Sequence, residues 1–263
     1  MSKIVLKSAS EIENLKVSGK ILSDILRNLV KEIKPGVKGD CLDKKAEELA
    51  KKRDSVCSFK GFEGYSANIC LSRNNEIVHG IPFGKVIKSG DIVGLDLGIK
   101  YKGLFTDSAV TVVVTEGKNL ITPEINQKKK LAKITFKCLK NTLKFCKPGY
   151  RLGDIGNAVQ TLAESHGYSV VKKLVGHGVG HSVHEAPLIP NYGRRGEGIR
   201  LKPGMVIAIE PMVNIGTDDI LIDEEDGWTF YTADGSYSAH FEWTVAITNK
   251  EPIVLTPLDW VNI

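Results

Sequence analysis

Four acidic residues lie inside or beside apolar, strand-like stretches, and this pattern limits what the chain can fold into. They are Asp96, Asp107, Glu210 and Glu242. Their aliphatic and β-branched neighbours favour buried strands. Carboxylates that converge in a buried place repel one another unless a cation lies among them. A single glutamate could instead pair with a buried Lys or Arg, but the four acids together predict strands that meet at a metal site.

Two of the strand-like stretches form a predicted β-hairpin. The runs 91–99 and 106–114 are joined through Tyr101, Lys102 and Gly103. With the turn centred near Tyr101 and Lys102, we expect Asp96 and Asp107 to face each other with Cβ atoms about 5 Å apart. A cation between the two aspartates would then stabilise the pair.

Three histidines complete the candidate site. His177 lies in Gly-His-Gly-Val-Gly at 176–180, and a neutral imidazole beside carboxylates is a common ligand of Mn, Fe, Co or Zn. The phosphate-loop alternative is weak because the spacing G-x-G-x-x-G is absent. His79 and His184 are candidates for hydrogen bonding to a scissile amide or its oxyanion. Five ligands can hold two cations that lower the pKa of a shared water, so hydrolysis is the predicted reaction class.

An internal repeat predicts two related halves, about 8–115 and 125–250. Lys-Pro-Gly at 34–36 returns at 147–149, and at an offset of 114 Lys88, Gly90 and Asp96 match Lys202, Gly204 and Glu210. Short Lys-Pro-Gly pieces can also match by chance. Each half reads as helices followed by strands, which predicts one α+β catalytic domain over 1–263 with the metals between the halves.

Composition sets wider bounds. At 263 residues and 42% hydrophobic content, the chain can bury a large core. The start of the sequence resembles no signal peptide, and no stretch is long enough for a membrane span. We therefore expect a cytoplasmic, monomeric protein without membrane contact. Five cysteines in irregular spacing argue against a disulfide framework and a zinc ribbon.

A lysine-rich segment accounts for the basic net charge. Residues 128–148 carry eight lysines and no acid, so the net charge of +5 leaves 5 − 8 = −3 for the rest of the chain. The spacing predicts a basic stripe on one helix face, either a solvated surface or a docking site for ribosomal RNA. The stripe is Lys130, Lys133, Lys137, Lys140, Lys144 and Lys147.

These motifs together resemble the type I methionine aminopeptidases, subfamily A of peptidase family M24, over nearly the whole chain. The resemblance rests on Val-His-Gly-Ile-Pro at 78–82, Asp-x10-Asp at 96–107, Gly-His-Gly-x-Gly-x-x-x-His-Glu at 176–185 and Phe-Glu-Trp-Thr at 241–244. It implies the pseudo-twofold "pita-bread" fold, an antiparallel sheet with helices packed on its outer face. It also implies removal of the initiator methionine from nascent polypeptide N-termini with a small second residue.

The resemblance also implies roles for individual residues. Asp96, Asp107 and Glu242 would bridge or chelate two cations, and His177 and Glu210 would complete their coordination. Glu210 would act in proton transfer, His79 would contact the scissile amide nitrogen, and His184 would stabilise the oxyanion.

The methionine pocket of the family is lined by aromatic residues and a cysteine. The matching positions here are Phe59, Phe62, Tyr65, Cys70 and Trp228. Phe62 stands where the family often has tyrosine, and Val183 where a larger apolar residue is usual. His181 stands where a basic or other polar residue is frequent, and we expect it to be an exposed loop residue.

Two other functions remain open from the sequence. A proline-directed relative, such as an aminopeptidase P or prolidase, would share all five ligands but usually carries a large extra N-terminal domain. A non-catalytic binding protein on the same scaffold would have lost ligands, whereas this chain keeps all five together with His79 and His184.

Overall fold

The computed structural model describes residues 4–115 and 122–261. Its helices are α1 (Ala9–Glu32), α2 (Gly39–Lys51), α3 (Pro123–Thr142) and α4 (Leu152–Glu164). The strands before α3 are β1 (Val56–Cys57), β2 (Cys70–Arg73), β3 (Glu76–Val78), β4 (Ile92–Tyr101) and β5 (Leu104–Val113). Those after α4 are β6 (Ser169–Val170), β7 (Gly176–Gly178), β8 (Glu185–Ile189), β9 (Val206–Ile209), β10 (Met212–Asn214), β11 (Ile220–Ile222), β12 (Phe230–Thr232), β13 (Ser238–His240), β14 (Trp243–Ala246) and β15 (Ile253–Val254).

The first helix begins where the sequence predicts a capping box. Ser8 accepts a hydrogen bond from the backbone N–H of Glu11, and the Glu11 side chain accepts one from the backbone of Ser8. The sequence also predicts Asp40 as the N-cap of a second helix, and this prediction is wrong. Lys38 is its N-cap, and Asp40 lies in the first turn, where Oδ2 accepts from Gly84 N at 3.1 Å.

Every strand pairing in the described residues is antiparallel. A four-stranded sheet joins β1, β4, β2 and β5, and a five-stranded sheet runs β15-β14-β9-β7-β8. Two smaller sheets run β13-β10-β6 and β11-β12-β3. The helices α1 and α3 pack against β5, and residues of all four helices share one buried apolar core with the central strands. Burial of this core is the main stabilising contribution.

Two glycines that match in the sequence repeat make similar hydrogen bonds. Gly90 N donates to Val114 O at 2.8 Å, and Gly204 N donates to Ile247 O at 2.9 Å. The donors are 114 residues apart, as in the sequence repeat, whereas the acceptors are 133 residues apart.

The predicted basic helix falls on α3 and the 3₁₀ turn that follows it, Leu143–Phe145. Most lysines of the stripe are exposed. Lys128, which lies in the same lysine-rich segment but outside the stripe, is buried. Its Nζ donates to Gly90 O at 2.6 Å and to Glu124 Oε1 at 2.8 Å, and it lies 4.1 Å from the ring centroid of Tyr237. Lys128 therefore supports packing of α3 and is not available to a partner.

None of the helices within residues 4–115 and 122–261 combines the length and apolar character needed to cross a bilayer.

Candidate metal centre and active site

One cleft of about 800 Å³ contains all five residues that the sequence singles out as ligands. Asp96 lies on β4 and Asp107 on β5, while His177 is the middle residue of β7. Glu210 directly follows β9, and Glu242 directly precedes β14. The structure therefore brings together residues separated by up to 146 positions in the chain.

The expected direct opposition of Asp96 and Asp107 is wrong. Asp96 pairs with Ala109, and Asp107 pairs with Gly98. The reason is the turn, which centres on Lys102 and Gly103 with φ values of 47° and 82°. Two central residues with positive φ characterise the type I′ hairpin turn, and glycine favours the second of these positions. The two aspartates are diagonal neighbours on one face, a spacing that leaves room for a cation.

Hydrogen bonds between β5 and the segment that carries Glu242 fix the position of two acids. Glu242 N donates to Ala109 O at 2.9 Å, and Ser108 Oγ donates to Glu242 O at 2.8 Å. Asp107 N donates to Thr244 Oγ1 at 2.9 Å, and the same hydroxyl donates to Asp107 O at 2.7 Å. The backbones of Asp107 and Glu242 are thus held together independently of their carboxylates.

Three side chains already have ligand atoms close enough to share one ion. Asp107, His177 and Glu242 each place one ligand atom within 4.8 Å of the others. His177 Nδ1 lies 2.9 Å from Gly178 O, so that nitrogen carries the proton and donates to the carbonyl. Nε2 is left with a free lone pair and lies 3.6 Å from Glu210 Oε1. This tautomer is the one a metal-binding histidine requires.

Burial dominates the electrostatics of the acids. It raises the pKa of Asp96, Glu210 and Glu242 well above the ordinary carboxyl range, and neighbouring carboxylates raise each of them further. Burial also raises the pKa of Asp107 to about 7, although the Ser108 N–H opposes the shift. Packing four acids this way costs free energy that a bound cation would offset.

The residues fit divalent cations. Asp96 Oδ1 and Glu242 Oε1 are buried without a hydrogen-bond partner, and buried oxygens of this kind require a proton or a cation. Oxygen and imidazole donors suit first-row divalent metals.

His79 lies beside the acids with a strained backbone. Its φ is 60°, a value rare for residues other than glycine, and such strain concentrates at functional sites. The ring centroid lies 5.7 Å from that of Phe230 and 6.4 Å from that of Trp228. Burial, with a smaller contribution from His184, lowers the pKa of His79 to about 4. The imidazole is therefore neutral at pH 7 and can donate or accept a proton.

His184 closes the other side of the cleft. Its ring centroid lies 4.2 Å from that of His177 and 5.2 Å from that of Phe62. The residue is exposed, yet partial burial of its ring lowers the imidazole pKa. It is placed to contact a ligand that enters from solvent.

The predicted pocket residues form one apolar cluster next to the acids. Tyr65 is held by hydrogen bonds from its hydroxyl to Ile69 O at 3.0 Å and Gly80 O at 3.2 Å, and Trp228 stacks edge-on against it at 5.2 Å. Cys70 pairs across the ladder with Asp96, so the cluster adjoins the candidate metal site. Its buried members are Phe59, Tyr65, Ala67, Cys70 and Val183, with Phe62, Ile81, Phe105 and Trp228 packed against them.

His181 is exposed, as expected, but it is not free. Its Nε2 lies 2.6 Å from Glu11 Oε1 on α1, and its backbone N–H donates to Glu185. Glu185 also pairs with the buried Lys7. These contacts fasten the loop before β8 to the start of α1.

His240 is a buried residue beside Glu210 that the sequence motifs do not single out. Its Nε2 lies 3.5 Å from Glu210 Oε2. One signal could have indicated it. His240 stands two residues before Glu242. In an extended segment, side chains two residues apart point to the same face.

Comparison with known proteins gives a consistent result. The model of metallopeptidase family M24 matches residues 13–249. Methionine aminopeptidase 1 of Bacillus subtilis (strain 168) is 44% identical over 253 residues, 96% of this chain and 99% of that protein. The methionine aminopeptidase of Aquifex aeolicus (strain VF5) is 41% identical and covers 97% of this chain and 99% of its own length.

Solved structures agree with the sequence relatives. The crystal structure of methionine aminopeptidase from Thermotoga maritima superposes with a TM-score of 0.90 at 43% identity, over 97% of this chain and 99% of that chain. Prolidase from Pyrococcus furiosus gives 0.74 at 24% identity over 66% of its length, a likeness of fold alone. The α+β pita-bread fold and the hydrolase class expected from the sequence are confirmed. The chain therefore belongs to metallopeptidase family M24, within its group of methionine aminopeptidases.

Proposed function

We propose that this protein hydrolytically removes the N-terminal methionine from nascent polypeptides with a small second residue, using two divalent cations. One observation carries the proposal: five candidate ligand residues line the same cleft as an apolar cluster whose aromatic and cysteine residues suit a methionine side chain. Relatives that match this chain over nearly its full length are named methionine aminopeptidases.

The ligand set divides between two cations. Asp107, His177 and Glu242 already cluster, and Asp96 and Glu210 adjoin them in the cleft. Bound cations would lower the pKa of a water molecule and would stabilise negative charge on the attacked carbonyl. Mn, Fe, Co and Zn all suit these ligands, and which one is used depends on availability.

The chain's own residues supply proton transfer and orientation. Burial raises the pKa of Glu210, with a further contribution from Asp107, so its carboxylate oxygen can hold a proton and pass it to the leaving amine. His79 donates to the scissile amide nitrogen from its fixed, strained backbone. His184, at the exposed side of the cleft, donates to the oxyanion.

The apolar cluster accounts for methionine selectivity. A thioether packs well against aromatic rings and a polarizable thiol. Tyr65 and Trp228 present an edge-on aromatic pair, and burial raises the pKa of Cys70 so that its sulfur stays a neutral thiol. A lysine or aspartate side chain would lose its hydration there without gaining a partner.

We further propose that residues 1–263 form one catalytic domain of two related halves, about 8–115 and 125–250. The similar hydrogen bonds of Gly90 and Gly204 support this arrangement. We also propose that the protein is a monomer located in the cytoplasm, where nascent chains are made. The exposed lysines of α3, such as Lys133, Lys137 and Lys140, provide a surface that would contact ribosomal RNA.

The decisive experiment is hydrolysis of Met-Ala-Ser, Met-Lys-Ser and Ala-Pro-Ser by chelator-treated protein reconstituted separately with Mn, Co, Fe and Zn. We expect methionine release from Met-Ala-Ser alone, and only with metal. Cleavage of Ala-Pro-Ser instead would identify a proline-directed enzyme. No cleavage with any metal would mean that the scaffold acts as a binding protein.

A further inference from the structure

His240 is a buried histidine to which neither the sequence motifs nor the proposed reaction assigns a task. It is 3% exposed, and its Nε2 has no hydrogen-bond partner in the described structure. A buried ring nitrogen left without a partner costs free energy comparable to a lost hydrogen bond. The group that Nε2 faces is therefore informative.

The group it faces is the carboxylate of Glu210. The distance from His240 Nε2 to Glu210 Oε2 is 3.5 Å, while His177 Nε2 lies 3.6 Å from the other oxygen, Oε1. Two imidazoles thus flank one carboxylate, each beside a different oxygen. A rotation that moves Nε2 by about 0.5 Å would bring the His240 contact to ordinary hydrogen-bond length.

The backbone of His240 is fixed from β5. Thr111 Oγ1 donates to His240 O at 2.6 Å and accepts from His240 N at 3.0 Å. The pairing of β10 with β13 places His240 opposite Met212, two residues beyond Glu210. In the other half, Asp107 lies opposite Gly98, two residues beyond Asp96. The imidazole therefore stands in the same diagonal relation to Glu210 as Asp107 does to Asp96.

We propose that His240 is a positioning residue for Glu210: its Nε2–H donates to Glu210 Oε2 and turns Oε1 toward the cation. This inference rests on the proposed metal centre. Among the described residues, all five candidate ligands line the cleft and His240 does not, and the nearest acid to its Nε2 is Glu210. His240 therefore acts through this carboxylate. Such partners of metal ligands change metal affinity about 10- to 100-fold when removed.

Two variants distinguish the effect of losing the N–H donor from the effect of losing the imidazole ring. His240→Gln keeps an N–H donor of similar reach, whereas His240→Ala removes it. Zinc affinity, measured by competition with a chromophoric chelator, should fall about 10- to 100-fold in His240→Ala and stay close to wild type in His240→Gln. His166→Gln is the matched control, because His166 is bonded to Leu162 O on α4 and does not line the cleft. Unchanged affinity in His240→Ala, or equal loss in both His240 variants, would overturn the proposal.

A second measurement uses the wild-type protein alone, so it does not depend on whether a variant folds. In wild-type protein labelled with ¹⁵N-histidine and loaded with zinc, we expect the Nε2 of His240 to carry a proton with a resolved one-bond N–H coupling. A zinc-loaded protein in which this nitrogen carries no proton would refute the positioning role while leaving the metal centre intact. Failure of the wild type to bind zinc would refute the proposed function itself, so the two failures are distinguishable.

Discussion

Gly98 lies directly across the β4–β5 ladder from Asp107 and leaves space for an aromatic ring of the pocket. A Cβ at position 98 would lie 2.6 Å from Phe59 Cε1 and 2.3 Å from Ser58 Oγ. Both distances are well below van der Waals contact. The glycine therefore links the geometry of the β4–β5 hairpin, which carries Asp96 and Asp107, to that of the apolar cluster.

Gly98→Ala should displace Phe59 and raise KM for Met-Ala-Ser about tenfold or more, because the cost of overpacking is about 1–3 kcal/mol. Gly94→Ala is the matched control on the same strand, since its Cβ would meet nothing closer than 3.8 Å. Steady-state kinetics with both variants test this. Equal KM values in the two variants would show that Phe59 does not contact methionine.

Asp96→Asn and His177→Ala should each abolish nearly all activity, with a loss on the order of 10³-fold in kcat/KM. Each change removes a ligand, so the metal content measured by mass spectrometry after gel filtration should fall as well. His166→Ala serves as the control outside the cleft. Full activity in either ligand variant would contradict the ligand assignment.

His181→Ala should cost less than about threefold in activity. The residue is exposed and its side chain pairs with Glu11 on α1, and exposed pairs contribute about 0–1 kcal/mol. Peptide kinetics and a thermal melt measure the two effects separately. A severe loss of kcat with unchanged stability would place His181 in the reaction.

The contribution of Asp107 to the stability of the metal-stripped protein should fall as pH rises. Burial raises the folded-state pKa of Asp107 from 3.8 to about 7, so the folded state binds more protons than the unfolded state between those values. Its contribution to stability is fully present below pH about 4 and is lost by pH about 7. His79 contributes in the opposite direction, because burial lowers its pKa to about 4, so thermal melts with a chelator at pH 5 and pH 7.5 compare the wild type with Asp107→Asn. The wild type should lose stability relative to this variant as pH rises, and saturating Mn should restore it at the higher pH. The same pH dependence in both proteins would contradict the assignment of Asp107 as a buried acid with a raised pKa.

Replacing Lys133, Lys137 and Lys140 with glutamine should weaken ribosome binding and reduce its salt dependence. Three fewer phosphate contacts lower the salt slope by about 2–3. Sedimentation with ribosomes at several salt concentrations gives that slope, while hydrolysis of Met-Ala-Ser should not change. Lys128 is excluded from the set because it is buried against Tyr237 and Glu124. Identical salt slopes in the variant and the wild type would rule out this surface.

The sequence indicated the five ligand positions because buried acids in apolar strands have few explanations, and the structure places all five in one cleft. The register of the hairpin could not be read reliably. A shift of one residue in the turn separates facing from diagonal aspartates, and only the positive φ values at Lys102 and Gly103 settle it. The predicted cap at Asp40 failed because the helix begins at N-cap Lys38, whose side chain makes no capping hydrogen bond, so the sequence carries no capping signal there.

His240 and Lys7 were missed because their importance depends on contacts distant in sequence. Lys7 looks like one more surface lysine in a charged segment, yet it is buried and paired with Glu185. His240 follows no motif of its own, and its task depends on the position of Glu210. Burial of a lone polar residue is a tertiary property, so the pattern of neighbouring residues does not reveal it.

The hydrogen bonds that join Asp107 to Thr244 and Ser108 to Glu242 have a consequence for how metals exchange. They fix the backbones on both sides of the cleft, so an arriving ion has little chain to order, and most of the entropic cost of assembling the ligands has been met during folding. Exchange of one divalent cation for another would then rearrange side chains and leave these backbone segments in place.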